Sequence, residues 1–249
     1  MDSLQLLIDL HKDALRQGPG SDDATRLALR LAGVDSEHPI KIADIGCGTG
    51  ATTLLLAKEL IAEVTAVDFL PEFLEVLEKR AKVFGVEKSI KTVAASMDAL
   101  PFAEEEFDVI WSEGAIYNMG FEAGVNYFGK FLKQDGVIAV SEITWLTNNR
   151  PFELHEHWVK EYPEIDTASA KLAILEKSGF TPIGYFILSP ECWLENYYTP
   201  MEQRFEQFLL MHKHSDEAQE IVASEQAEIE LYKKYQPYYS YGFYIAIKK

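Results

Sequence analysis

Over residues 1–32 the apolar side chains recur at helical spacing. Leu4, Leu7, Ile8 and Leu15 come first, and Leu27, Leu29 and Leu31 follow Asp22 and Asp23, with Gly18-Pro19-Gly20 between the two groups. A period near 3.6 predicts two amphipathic helices with a break at the Gly-Pro-Gly. From Lys41 the pattern changes to short apolar runs separated by amphipathic stretches. Strands are predicted over 41–45, 63–67, 90–95, 107–112 and 136–143, and helices over 51–60, 71–84 (stopped by Gly85) and 125–132. Strands alternating with helices at this spacing predict a parallel, doubly wound sheet with right-handed crossovers.

After residue 145 the alternation loosens. Thr167 is placed to cap a helix running to Ser178, Gly179 ends it, and 180–188 reads as a sixth strand. An insertion follows over about 190–237. Within it Thr199-Pro200-Met201-Glu202 has the form of a capping box with Pro at the first helical position, which predicts a helix starting there. A second helix is expected from about Asp216 to Tyr235, and 241–248 reads as a last strand. No repeat, low-complexity tract or linker divides the chain, so 1–249 reads as one domain. Its parts are an N-terminal helical lid (1–35), a core (40–145) and a half carrying the insertion (146–249).

Composition narrows the partners. The chain carries 23 Lys and Arg against 40 Asp and Glu, a net charge of −17. A nucleic-acid binder gains affinity by neutralising phosphates, which this surface would repel, so no nucleic-acid partner is expected. Acidic surfaces also disfavour anionic membranes. The apolar stretch 4–10 is flanked by Asp2 and Asp9 with no basic region before it, unlike a signal peptide. No run approaches the ~18 apolar residues of a membrane span. Two cysteines, Cys47 and Cys192, make no disulfide framework. A cytoplasmic location follows as the expectation.

The most informative segment is IADIGCGTG, 42–50. Gly46, Gly48 and Gly50 form a tight turn from strand one into a helix, close enough to a ligand to leave no room for Cβ atoms. With Ala51 the turn also satisfies the dinucleotide fingerprint G-x-G-x-x-G/A. The neighbouring acids separate the two cases. Asp44, two positions before the first glycine, would oppose a pyrophosphate but suits a ligand bearing an ammonium and a sulfonium, as S-adenosylmethionine does. Asp68, 22 positions after Gly46, ends strand two where a carboxylate accepts from ribose hydroxyls, and Phe69 is placed to lie on adenine. Met97 and Asp98, after strand three, offer a backbone amide and a carboxylate to the adenine edge.

Taken together, DIGCGTG, TAVDF, ASMDALPF, FDVIWSEG and LKQDGVIAVSEI resemble the class I S-adenosylmethionine-dependent methyltransferases, in particular the small-molecule branch that includes the ubiquinone/menaquinone-biosynthesis type. The resemblance covers about 40–145. It implies a Rossmann-like α/β fold with a seven-stranded sheet, helices on both faces, and 241–248 inserted antiparallel between strands five and six. It further implies that Asp44, Gly46, Gly48 and Gly50 hold the methionine moiety, that Asp68 binds ribose and Met97 and Asp98 adenine, and that Glu113 lines the methionine end; Cys47, inside the turn, and Phe69, next to Asp68, join the expected cofactor-binding residues by position. The implied cofactor is S-adenosylmethionine, and the implied activity is methyl transfer to a small-molecule acceptor.

Catalytic candidates are weaker, because methyl transfer depends chiefly on alignment. Glu113, Tyr117 and Glu142 lie at the carboxyl ends of strands four and five, where open α/β sheets bind ligands, and Trp145 is expected to face the same crevice. Glu113 is open to two roles, ammonium acceptor or proton acceptor. His155 is a candidate substrate-side base. The pairs His155/His157 and His212/His214 are spaced by two, about 200° apart on a helix, so no metal site is expected. The aromatic insertion (Trp193, Tyr197, Tyr198, Phe205, Phe208, Tyr232, Tyr235, Tyr238, Tyr239) is expected to pack on the sheet, to wall an apolar acceptor pocket, or to form a homodimer contact. Two other functions stay open at this stage: a non-catalytic S-adenosylmethionine-binding protein, and a nicotinamide-dependent oxidoreductase, which Asp44 and Asp98 disfavour.

Overall fold

A computed structural model describes residues 3–34 and 37–249. Met1, Asp2 and Asp35, at the edges of the expected lid, lie outside the described residues. The strands are β1 (Ile40–Ile45), β2 (Ala62–Asp68), β3 (Ile90–Ala94), β4 (Phe107–Glu113), β5 (Leu132–Trp145), the two-residue β6 (Asp166–Thr167), β7 (Phe180–Ile187) and β8 (Tyr239–Lys248). They join in the order β3-β2-β1-β4-β5-β8-β7, with β6 on β5. The pairings from β3 through to β5 are parallel, and β8 runs antiparallel to both β5 and β7. This is the Rossmann-like arrangement expected, with the last strand inserted between the fifth and β7.

Strand order reverses at β1, so the carboxyl ends of β1 and β4 flank the crevice where open sheets place ligands. Their residues are buried on both faces: Ile42, Ala43 and Ile45 on β1, Val109, Ile110 and Trp111 on β4. This is why both read as continuous apolar runs. The core has two main layers. One, with Phe121, Phe128, Leu132 and Tyr244, lies under α5 (Phe121–Phe128) and α7 (Ala168–Lys177). The other lies under α2 (Asp22–Ala32) and the insertion, with Trp111, Trp193, Tyr198, Tyr232 and Phe243. Helix α2 starts where Ser21 Oγ accepts from the Ala24 N–H and stops at Gly33 in the left-handed region.

Two boundaries differ from expectation. Strand β5 begins four residues early, and its buried run continues to Trp145 because β8 pairs along it from Val137 onward. Thr199 starts no helix. A continuous helix, α8 (190–202), is already running, with a π turn over Leu194–Tyr198. Pro200 has no N–H to continue the ladder, and just before it the Thr199 N–H reaches back five residues to the Leu194 carbonyl. The insertion closes with α9 (Phe205–Met211) and α10 (Asp216–Tyr235). Among its aromatics, Trp193, Tyr198, Phe205, Phe208, Tyr232, Tyr235 and Tyr239 are buried, so they pack the insertion onto the sheet and are not surface contacts. Among the described residues, no helix is long and apolar enough to cross a membrane.

Candidate active site

A cavity of about 560 Å³ opens at the β1/β4 switch point, within the usual range for small-molecule sites of roughly 300–1,000 Å³. Its floor is the glycine turn. Gly46 and Cys47 N–H groups both donate to the Val67 carbonyl (2.8 and 2.9 Å), tying the turn to β2. Gly46 (φ 76°) and Gly48 (φ 55°) are in the left-handed region, where a side chain is strained. A Cβ on Gly46 would overlap Ala115, and one on Gly48 would overlap the Gln17 side chain. Gly50 lies behind the cavity, against Leu77 of α4 (Pro71–Phe84).

Three carboxylates line the cavity: Asp44, Asp68 and Glu113. Asp44 is fully buried and accepts from the Thr53 hydroxyl. Burial, reinforced by the charges of Glu113 and Asp68, pushes its carboxyl up to about 7 despite the Thr53 bond. Asp68 accepts from the Gly48 N–H through Oδ2 (2.8 Å) and from the Leu70 N–H through Oδ1 (2.9 Å), which fixes its orientation and leaves a lone pair on each oxygen. Its carboxyl is also raised by burial. Glu113 accepts from Thr25 Oγ1 (2.8 Å), Trp111 Nε1 (2.9 Å) and Arg16 (3.4 Å). The Cys47 thiol lines the cavity, and burial and the Asp44 charge push it well above its ordinary range, which disfavours the thiolate.

The N-terminal segment closes over this floor. Gln17 accepts from the Thr49 N–H (2.8 Å) and donates to Thr49 Oγ1 (3.0 Å). Arg80 ties Thr49 Oγ1 (2.6 Å) to the Ala14 carbonyl (2.9 Å). Arg16 bridges Glu113 and Asp22, and Gly18 and Pro19 join the cavity wall. The insertion holds the segment from outside: Asn196 donates to the Gly20 carbonyl (2.9 Å), and the Gly20 N–H donates to Cys192 (3.2 Å). No local pattern marks Arg16, Gln17, Thr25 or Arg80, because each reaches the site from a distant element. The one signal was two polar side chains beside the Gly-Pro-Gly break.

The remaining expected residues divide. Phe69, Met97 and Tyr117 line the cavity. Asp98 does not: a turn closed by the Ala99 N–H on the Ser96 carbonyl leaves it exposed, one residue past the wall. Glu142 is also outside it, buried 3.4 Å from Lys171, whose Nζ donates to the Glu164 carbonyl as well. Trp145 is buried in the core, with the Arg150 guanidinium over its ring, rather than facing the crevice. His155 sits beside that pair, 3.4 Å from Arg150 Nε, and reaches no cavity wall. Among the described residues, no group of three or more His, Cys, Asp or Glu side chains is arranged to hold a metal ion.

Known proteins share this fold. A methyltransferase-domain family model matches residues 42–136, from β1 to the start of β5. The uncharacterized methyltransferase YodH of Bacillus subtilis is 31% identical over 120 residues, covering 48% of this chain and 49% of that one, so the match spans about half of either protein. A S-adenosylmethionine-dependent methyltransferase from Geobacter sulfurreducens, solved with S-adenosyl-L-homocysteine, has a TM-score of 0.85 at 13% identity, with 98% of both chains covered. The [4+2]-cyclase SpnF has a TM-score of 0.75 at 20% identity, covering 98% of this chain and 92% of that one. Residues 42–136 thus resemble a methyltransferase domain, and the whole chain has the fold of these solved proteins.

Proposed function

We propose that the protein binds S-adenosylmethionine in this cavity and transfers its methyl group to a small-molecule acceptor. The observation that carries the proposal is the set of three carboxylates around a glycine turn, in a cavity whose lining arginine, Arg16, is already engaged, as is Arg80 outside the cavity wall. Arg16 is paired with Glu113 and Asp22, and Arg80 is bonded to Thr49 and Ala14. Such a site repels a pyrophosphate and suits a cationic ligand without phosphate. In this reading the free lone pairs of Asp68 accept from the ribose hydroxyls and Phe69 and Met97 pack on adenine, while Asp98, exposed and outside the cavity wall, takes no part. Asp44 and Glu113 face the ammonium end.

The cofactor supplies an activated methyl group when bound. The protein's part is alignment and exclusion of water, which can contribute on the order of 7–11 kcal/mol in favourable cases. Glu113 already accepts three hydrogen bonds and acts as a fixed ammonium acceptor, not as a proton shuttle. Tyr117, its hydroxyl raised by burial, stays neutral at pH 7 and serves as wall and hydrogen-bonding group. A net charge of −17 makes a nucleic-acid acceptor unfavourable. As part of the same proposal, the enzyme works on small molecules in the cytoplasm, where Cys47 and Cys192, both buried, remain thiols.

The test is a methyl-acceptor screen in which formation of S-adenosylhomocysteine is followed by mass spectrometry, with cofactor binding measured separately. Binding with turnover on a small molecule supports the proposal. A [4+2]-cyclase shares the fold, so binding without turnover on any acceptor would favour a non-catalytic or differently catalytic role.

A further inference from the structure

Residues 12–20 join helix α1 (Ser3–His11) to α2 and supply Arg16, Gln17, Gly18 and Pro19 to the cavity wall. Among the described residues, 15–19 make no backbone–backbone hydrogen bond. A stretch held in this way opens locally at small cost unless side chains fasten it to the rest of the fold. Gln17 fastens it to the glycine turn, accepting from the Thr49 N–H at 2.8 Å. Arg16 is the second fastening, and it is not closed.

Arg16 Nη1 lies 3.4 Å from Glu113 Oε2, beyond the roughly 2.7–2.9 Å of a closed charged hydrogen bond, although each side chain is only 11% exposed. Its nearer partner, Asp22 (2.9 Å), is largely exposed and makes a weak tie. Two of the guanidinium's five donors are used in these contacts, so three remain for a ligand. Glu113 takes its short bonds from Thr25 and Trp111 on Oε1, which leaves Oε2 with the long contact to Arg16. Among the described residues that line the cavity, Arg16 is the only cation. Gly20 fits against the pair because it lacks a side chain: a Cβ there would stand 3.0 Å from Arg16 Nη1 and 3.3 Å from Glu113 Oε2.

An open pair with one charge of each sign on a shared wall is complementary to a zwitterion. A phosphate would gain Arg16 but meet Glu113 beside it, and a simple amine would meet the reverse. An α-amino acid end carries ammonium and carboxylate on one carbon and offers each wall group the opposite sign. We propose that Arg16 and Glu113 together receive the amino-acid end of the ligand, the ammonium on Glu113 Oε2 and the carboxylate on Arg16, and that the carboxylate thereby locks residues 12–20 over the cavity. The proposal rests on the S-adenosylmethionine reading of this site. It makes the carboxylate, which takes no part in methyl transfer, the group that couples cofactor occupancy to closure of the wall.

The experiment compares S-adenosylhomocysteine with its decarboxylated analogue, which keeps the amine and lacks the carboxylate. Calorimetry on the full chain gives the affinities, and hydrogen exchange gives the protection of the amides over 12–20. The wild type should bind S-adenosylhomocysteine at least tenfold more tightly than the analogue. Both ligands should protect the turn 46–50, but only S-adenosylhomocysteine should protect 12–20. Arg16→Met should lose at least tenfold of the S-adenosylhomocysteine affinity while changing that of the analogue less than threefold, and Arg16→Lys should recover part of the loss. Equal affinity of the wild type for the two ligands, or equal protection of 12–20 by both, would overturn the proposal without recourse to any variant. So would an Arg16→Met variant that weakens both ligands alike, since that marks a structural role. Failure of the wild type to take up S-adenosylhomocysteine at all would instead overturn the cofactor reading.

Discussion

Replacing Asp44 by Asn should strengthen the fold and weaken the site. Asn keeps the side-chain shape and an acceptor for the Thr53 hydroxyl, but carries no charge. In the folded protein the Asp44 carboxyl is pushed from its ordinary 3.8 up to about 7 by burial and by Glu113 and Asp68. At about 1.4 kcal/mol per tenfold in proton affinity, that gap bounds the cost of the ligand-free charge at roughly 4 kcal/mol, and partial relaxation makes 2–4 kcal/mol the working range. The sign follows from linkage. Between about pH 4 and 7 the folded wild type holds a proton that the unfolded chain has released, so its stability falls as pH rises through this window and levels off above it. The variant lacks this loss. Thermal unfolding of ligand-free wild type and Asp44→Asn at pH 4, 5, 6, 7 and 8 should show a midpoint difference that grows with pH and plateaus above 7. In a chain of this size about 1 kcal/mol corresponds to roughly 2–4 °C. A difference independent of pH, or a variant less stable at pH 8, would refute the reasoning. With S-adenosylhomocysteine present the order should reverse, because the ligand ammonium needs the charge; affinity of the wild type should rise with pH through 7.

Two further perturbations test other parts of the account. Gly46→Ala places a methyl group against Ala115 at a left-handed backbone position, so cofactor affinity measured by calorimetry should fall by at least tenfold; unchanged affinity would mean that the turn is not the floor of the site. Lys171→Met leaves Glu142 buried without its cation and should cost about 3–5 kcal/mol of stability at pH 8, recovered in part at pH 5 as Glu142, already raised by burial, takes a proton. Equal losses at both pH values, followed by denaturant unfolding, would count against an ionised pair.

The cofactor half was readable from the sequence because its chemistry sits at strand ends, where local pattern is strong. The turn 46–50 and Asp68 follow β1 and β2, and their spacing is fixed by the strand–helix unit. The opposite wall was not readable. Arg16, Gln17 and Thr25 are brought to the cavity by folding of the N-terminal segment, and nothing in their neighbours marks the partners Glu113 and Thr49. Position on a strand end also misled. Glu142 lies at the carboxyl end of β5, but its strand neighbour β8 and helix α7 cover it, and Lys171 takes its charge. At Thr199 a capping pattern was overridden because the chain had entered a helix at Pro190, and tertiary packing of Trp193 and Tyr198 carries that helix through the π turn.

Binding of S-adenosylmethionine in this cavity through Asp68 and its neighbours is tested by calorimetric titration with S-adenosylhomocysteine. Wild type and Asp68→Ala, freed of any ligand carried through purification, are titrated beside NADH as control. Binding to the wild type, a loss of about 1–3 kcal/mol in Asp68→Ala and no response to NADH are expected. No binding of S-adenosylhomocysteine to the wild type, or equal affinity in Asp68→Ala, would contradict this.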